Sequence, residues 1–236
     1  IDSNVTVTGN DIVMTLSEAQ ATTEADLLTR TNAGATTINA GATTSVSIEA
    51  TQVSKLTTLT AVPNSAVEIT INGNDTVGDS STKDVKVYVY NTVNPIDKEA
   101  MNANDFAIAL SDVNAANFIS LSNVKAYDIA ALPGTEVTPV SVTSIIPTTV
   151  GIHDVTFASP SGNTEITVKA HVYDVVNSTD KEAMNASSFA IALSDVSESN
   201  FINYAGAKAY DISVLPETEI TPVSVTSSMP STLGVH

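Results

Sequence analysis

DKEAMNANDFAIALSDV, Asp97 to Val113, returns as DKEAMNASSFAIALSDV, Asp180 to Val196, and that return decides how the chain is read. Sliding the sequence by about 83 residues lays Tyr88–His153 on His171–His236 without a gap, with roughly 42 of the 66 positions identical. KAYDI (Lys125–Ile129, Lys208–Ile212) and TPVSVTS (Thr138–Ser144, Thr221–Ser227) fall in the same register. A degenerate copy precedes these two. NDIVMTLSEA (Asn10–Ala19) resembles NDFAIALSDV (Asn104–Val113), while VEITI (Val67–Ile71) and VKVYVYN (Val85–Asn91) resemble HDVTF (His153–Phe157) and VKAHVYD (Val168–Asp174). The chain therefore divides into a divergent repeat at 1–91, a second repeat at 92–174, and a third at 175–236. The third lacks counterparts of Asp154–Phe157 and Glu165–Val172, which are expected to be its last two strands.

Inside each repeat the apolar residues alternate. Phe106, Ile108 and Leu110 share one face with Ala107 and Ala109 between them, as Ile12, Met14 and Leu16 do earlier, and a period of two predicts strands. The pattern recurs at Thr138, Val140 and Val142, at Val155 and Phe157, and at Ile166, Val168 and Ala170. Turn-forming residues separate these runs, as in Pro160-Ser161-Gly162-Asn163. Only Ser17–Arg30 and Asp97–Asn102 carry enough Ala, Glu, Met and Leu to suggest helix, the second for one turn at most. Short strands spaced by turns predict an all-β chain of tandem two-sheet antiparallel sandwiches.

Composition narrows the function classes. Nine basic side chains face 26 acidic ones, for a net charge of −17 with a single Arg. Phosphate binding needs clustered Lys and Arg to displace counterions, so nucleic acid and anionic lipid are excluded as expected partners. Without Cys there are no disulfides, thiolate nucleophiles or Cys-type zinc sites. No apolar run approaches the roughly 18 residues that span a bilayer, and Ile1–Asn10 lacks the parts of a signal peptide, so no membrane insertion is expected in this segment.

The stretch Pro147–Asp174, PTTVGIHDVTFASPSGNTEITVKAHVYD, resembles the closing half of the bacterial immunoglobulin-like repeats found in tandem on Gram-positive-type cell-surface proteins. Pro147, Gly151, Val155–Phe157, Gly162-Asn163 and Ile166–Val172 stand where such repeats place a Pro, a Gly before an alternating strand, a Gly-Asn turn and a last Val-rich strand. The first copy departs from this, with no Gly before Val67 and a longer turn through Asn72–Lys83. The resemblance implies immunoglobulin-like sandwiches arranged as a rod, an extracellular, cell-surface location, and protein or cell-surface glycan partners or self-assembly. Related domains also form internal Lys-to-Asn isopeptide bonds, for which Lys125 and Lys208 are the donor candidates here.

Enzyme signatures are missing: there is no Gly-x-Ser-x-Gly elbow, no His-Glu-x-x-His and no phosphate-cradling Gly loop. His153 and His236 are one repeat position, and His171 stands where the preceding copy has Tyr88, so all three read as structural. No cofactor is required, and calcium is the one candidate. Asn91, Asp97, Glu99 and Asn102 gather oxygen ligands at the first junction, Asp174, Asp180, Glu182 and Asn185 at the second, and a hard cation wants six to eight such oxygens. Lys98 and Lys181 sit inside these clusters, whose spacing fits no defined loop. Asn72–Asp79 (NGNDTVGD) is a weaker candidate of the same kind. LPGTE (Leu132–Glu136) and LPETE (Leu215–Glu219) are similar to the wall-sorting signal, but Glu136 and Glu219 replace its cleaved Gly, which predicts plain loops. Sequons at Asn4, Asn74, Asn177 and Asn185 matter only in a glycosylating host. The expected function is a non-enzymatic stalk or adhesive module of a secreted, cell-wall-associated adhesin. The alternative is a self-assembling surface-layer (S-layer) subunit or a phage coat or decoration component.

Overall fold

The computed structural model describes residues 4–221 and 223–236; Ile1–Ser3 of the first repeat and Pro222 of the second TPVSVTS lie outside the described residues. The chain is mostly β, with 38% of residues in strands and 19% in helices, and it carries several sheets. It separates into two compact units: Ile1–Asn102 with Lys125–Val140 and Ala158–Ile166, and Ala103–Val124 with Ser141–Phe157 and Thr167–His236.

The first copy opens with β1 (Val5–Thr8) and β2 (Ile12–Thr15), then α1 (Leu16–Ala21) and α2 (Glu24–Arg30). It continues through β3 (Gly34–Thr37), β4 (Thr44–Ser47), α3 (Ala50–Thr57), β5 (Val67–Asp75) and β6 (Ser80–Tyr90). The alternation beginning at Ile12 stops at Thr15, whose hydroxyl accepts from Glu18 N while its own N–H donates to the Glu18 carboxylate at 2.7 Å. This capping box turns Leu16 into a helix, so Leu16 does not extend the strand face as the alternation predicts. The β2-β6-β5-β4 sheet packs Met14, Ile69, Ile71, Val85 and Val87, all at most 1% exposed, with Leu27 and Leu56 from the helices. β1 and β3 form a separate pair. β1 passes so close to β5 that a Cβ at Gly73 would collide with Val7, which is why no side chain is tolerated there.

The second copy contains β7 (Thr92–Asn94), β8 (Glu99–Asn102), β9 (Phe106–Ala109), α4 (Ala115–Ser122) and β10 (Lys125–Asp128). It ends with β11 (Thr135–Val137), β12 (Ser141–Val142), β13 (Gly151–Ala158) and β14 (Glu165–Tyr173). One sheet runs β11-β10-β8-β7, antiparallel throughout. The other runs β12-β13-β14-β9, with β9 parallel to β14. This second order repeats that of β4-β5-β6-β2, including the parallel pair: Ile12 faces Val87 where Phe106 faces Ala170. A single side-chain bond recurs with it. Asp11 Oδ1 accepts Lys86 N at 2.8 Å, and Asp105 Oδ1 accepts Lys169 N at the same distance.

The third copy has β15 (Val175–Asn177), β16 (Glu182–Asn185), α5 (Glu198–Ala205), β17 (Lys208–Asp211) and β18 (Thr218–Ile220). Its β15-β16-β17-β18 sheet has the order of β7-β8-β10-β11. Phe189–Ala192, the counterpart of β9, is not in a strand, and nothing among the described residues corresponds to β13 or β14.

Three expectations change. Asp97–Asn102 is a turn entering β8 and contains no helix. Helices α3, α4 and α5 lie where none is predicted; α4 is capped by Asn114, whose side chain accepts from Asn117 N at 2.9 Å, and ends at Asn123 with φ 49°. Leu110 opens a 3₁₀ turn and is half-buried, whereas Phe106, Ile108, Val155 and Phe157 are buried as the alternation predicts. No described helix is long and apolar enough to cross a membrane.

Candidate functional site

Of the acidic residues singled out for calcium, Asp97 and Asp180 sit in hairpin turns, Glu99 and Glu182 open the strands that follow, and Asp174 lies between β14 and β15. In Asn94-Pro95-Ile96-Asp97, the Asn94 side-chain oxygen accepts from Ile96 N and Asp97 N at 3.1 and 3.2 Å, and its amide donates to Asp97 Oδ2 at 2.8 Å. Such a side-chain-to-backbone turn holds the β7–β8 reversal, and Lys98 takes the left-handed position with φ 57°. Asn177, Asp180 and Lys181 repeat this, with Asn177 Nδ2 donating to Asp180 Oδ2 at 2.6 Å and Lys181 at φ 58°. Asp97 and Asp180 therefore close turns.

Glu99 does something further. Its Oε2 accepts from Ser159 Oγ and Thr164 Oγ1, both at 2.8 Å, across the turn that joins β13 to β14. Partial burial pushes the Glu99 carboxyl up, but the hydroxyls of Ser161, Ser159 and Thr164 outweigh it and leave the group below its ordinary range. Asn163 of the same turn donates to Asp97 Oδ1 at 3.3 Å and accepts from Asn94 Nδ2 at 3.1 Å. Asn94, Asp97 and Glu99 thus form a polar latch on Ser159–Thr164. The equivalent Glu182 has no such partner and is exposed.

Asp174 accepts from Ala186 N at 2.8 Å, and its own N–H donates to Asn185 Oδ1 at 3.0 Å, so it ties a strand end. Asn91 N donates to Asn102 Oδ1 in the same way at 2.8 Å. In NGNDTVGD, Asp75 is 8% exposed and saturated: Val77 N and Asp79 N donate to one oxygen, Thr37 and Asn39 to the other. Asp79 shares the Asn39 amide and takes Asn4 as well. Among the described residues no group of three His, Asp or Glu side chains is placed to hold a metal ion.

The sorting-like motifs supply cross-strand partners. Lys125 Nζ lies 2.9 Å from Glu136 Oε2 and Lys208 Nζ 2.8 Å from Glu219 Oε2, pairing KAYDI with LPxTE on an exposed face. The side chains are 40–52% exposed, so each pair adds little stability. Isopeptide chemistry asks for an amine beside an Asn; these amines are beside carboxylates instead. His153 and His236 each donate from Nε2 to a carbonyl four residues back, Thr149 and Thr232, at 2.9 Å.

Sequence reasoning missed two tyrosine pairs. Tyr90 and Tyr127 tilt against each other with ring centroids 5.1 Å apart, and Ala100, Ile129, Val13, Val93 and Leu132 complete a small apolar cluster around them. A Cβ at Gly134 would come 2.8 Å from Tyr90 Oη, so Gly is required beside that hydroxyl. An open cleft of about 280 Å³ adjoins Tyr88, Tyr90, Tyr127, Pro63 and Pro133. One repeat length on, Tyr173 and Tyr210 pair at 5.5 Å, but His171 replaces Tyr88 and Glu217 replaces Gly134. His171 Nδ1 is 2.6 Å from Glu217 Oε2, with side chains 4% and 17% exposed. The two atoms are at ion-pair distance without hydrogen-bond alignment, and the Tyr173 hydroxyl is buried alongside. Burial, then the Glu217 carboxylate, pushes the Tyr173 phenol up strongly. Burial also raises Glu217, but its own backbone N–H, His171 and Tyr173 overcome this and hold it below the ordinary carboxylate range. The readable signal was the paired difference between two otherwise matching repeats.

No protein-family model matches this chain, and no curated protein shows significant similarity to it.

Proposed function

We propose that the chain is a non-enzymatic, extracellular structural or adhesive module, a stalk of three immunoglobulin-like repeats (1–91, 92–174, 175–236) in a bacterial cell-surface protein. The observation that carries this is the recurrence of one architecture down the chain. The parallel pairs Ile12–Val87 and Phe106–Ala170 support equivalence of the first two repeats, and the tyrosine pairs Tyr90–Tyr127 and Tyr173–Tyr210 support a recurring joint. The first two repeats bury apolar cores, and a tyrosine contact between consecutive repeats would hold neighbours in sequence. The acidic surface keeps such a chain soluble and apart from nucleic acid. Chemistry is not the business of this module; geometry is.

The alternative, a self-assembling surface-layer or phage coat component, is favoured by one observation: Met184, Phe189 and Leu193 of the third repeat are 37–43% exposed. Electron microscopy and small-angle scattering of the purified protein, with and without calcium, test both. Isolated rods with a maximum dimension well beyond that of a compact 24.4 kDa particle support the stalk; ordered sheets support the coat reading; compact particles refute the rod.

A further inference from the structure

Strand β6 has two unlike faces. Val85, Val87 and Val89 alternate into the core of the first copy, while Tyr88 and Tyr90, two residues apart, share the opposite face. Tyr127 of β10 lies against Tyr90, its ring tilted by 51°. Because Val67 pairs with Val87, the segment that leads into β5, Pro63–Ala66, runs beside Tyr88. Asn102 at the end of β8 and Pro133 complete the cleft of about 280 Å³. The Asn102 side-chain oxygen accepts from Asn91 N at 2.8 Å, and its amide nitrogen is left to donate. Asn64 and Ser65 add exposed polar side chains.

The lining is neutral in a strongly acidic chain. No Asp, Glu, Lys, Arg or His contributes to it, although the chain holds 26 acidic and 9 basic residues. Burial, and then the Tyr127 and Tyr88 phenols, push the Tyr90 phenol up, so it stays uncharged. An anion would find no cation here and would meet the repulsion of the acidic surface; a cation would find no carboxylate. Aromatic side chains with a few placed amide and hydroxyl groups suit a ligand that has both apolar faces and neutral hydroxyls. An Asn amide donates and accepts at once, which matches a pair of neighbouring hydroxyls. The volume lies just under the range of about 300–1,000 Å³ typical of sites for larger ligands, so it suits a single ring. At the Tyr173–Tyr210 pair, His171 and Glu217 stand in the places of Tyr88 and Gly134 and bring charge to equivalent positions.

We infer that this cleft binds a neutral pyranose, the terminal sugar of a glycan, with Tyr88 and Tyr127 against the C–H face of the ring and Asn64, Ser65 and Asn102 on its hydroxyls. The inference rests on the adhesive-module reading, for which it supplies the site and the class of partner.

The test uses the full 236-residue protein and follows the NMR signals of the Tyr88 and Tyr127 rings and the Asn64 and Asn102 side-chain amides. The probes are the methyl glycosides of glucose, galactose, mannose and N-acetylglucosamine, beside N-acetylneuraminic acid, glucuronic acid and a proline-rich peptide. At least one neutral glycoside should shift these signals at about millimolar concentration. Tyr88→Ala and Asn64→Ala should each weaken that binding by about tenfold or more, while Tyr210→Ala, at the repeat position of Tyr127, leaves it unchanged. Asn64 is exposed, so its substitution separates lost binding from lost folding. The inference is overturned if no neutral glycoside shifts the signals, if the acidic sugars bind as tightly, if only the peptide binds, or if Tyr88→Ala and Asn64→Ala bind like the parent. Small-angle scattering keeps this apart from the stalk reading: extended rods without sugar binding remove the site and leave the stalk, and compact particles that bind the sugar remove the rod and leave the site.

Discussion

Phe106→Ala and Phe189→Ala remove the same side chain from the same place in two copies of one repeat, and the structure separates their expected effects. A buried Phe withdraws about 200 Å² from water, which at about 25 cal/mol per Å² corresponds to about 5 kcal/mol. Phe106 is 4% exposed, beneath the parallel strand and against the Phe118 ring, so truncation leaves a closed cavity. A loss of about 3–5 kcal/mol is expected. Phe189 is 37% exposed, so roughly a third of the transfer gain is already absent, and the space it vacates opens to solvent instead of forming a cavity. Its loss should be about 2–3 kcal/mol, from the remaining burial and the ring contacts with Phe201 and Tyr204. Because a multi-repeat chain does not unfold in one step, the assay is native-state hydrogen exchange, read at Val168–Val172 for the first variant and at the amides of α5, Glu198–Ala205, for the second. A loss below about 1 kcal/mol for Phe106→Ala would mean that β9 has its faces reversed. Equal losses for the two variants would refute the claim that one site is covered and the other open.

Other consequences are as direct. Glu99→Ala should reduce amide protection through the Ser159–Thr164 turn, where Ser159 N donates to Thr164 O, while Glu182→Ala leaves exchange unchanged throughout; an equal effect of both would show that Glu99 is not a latch. Glu217 is held below its ordinary range in the folded state, so its stabilisation is complete above that range and is lost as pH falls through the lowered value. The melting temperature of the parent should therefore fall more steeply than that of Glu217→Gln on acidification, and superimposable profiles would disprove it. Chelator should leave parental melting unchanged, since Asp97, Glu99, Asp174 and Asp180 all have protein donors; a calcium-dependent rise abolished by Asp180→Ala with Glu182→Ala would establish the metal site instead.

What could be read in the sequence was what alternation and self-similarity encode. Phe106, Ile108, Val155, Phe157, Ile166, Val168 and Ala170 are buried because a period of two fixes the face, and the internal alignment of Asn10–Ala19 with Asn104–Val113 reappears as strand register. Helix α4 escaped because AANFISLS mixes Ala with Phe, Ile and Leu, whose apolar character suits either element; the usable signals were its caps Asn114 and left-handed Asn123, and Ser197 and left-handed Gly206 for α5. The hairpin at Asp97–Asn102 was obscured by its composition. Glu, Ala and Met favour helix, and only the Asn94 side-chain turn and the positive φ of Lys98 overrule them. Glu99 looked like a ligand because its partners, Ser159 and Thr164, lie 60 and 65 residues away, beyond any local pattern.

The positions where the second and third copies differ carry as much physical information as those where they agree. Gly134 is forced by the Tyr90 hydroxyl, so an acidic side chain could enter that place only if its surroundings changed with it. In the third copy Glu217 occupies the place, and His171 stands where Tyr88 was, 2.6 Å from the new carboxylate. Neither change is tolerable alone: a carboxylate with no partner is costly when buried, and a buried imidazole without one leaves its ring nitrogen unmatched. The tyrosine contact thus exchanges a glycine-lined surrounding for a charged one while the rings stay at contact distance, 5.1 and 5.5 Å. The opposite holds at Phe189, Ile191 and Leu193, which match Phe106, Ile108 and Leu110 although two of the three are substantially exposed.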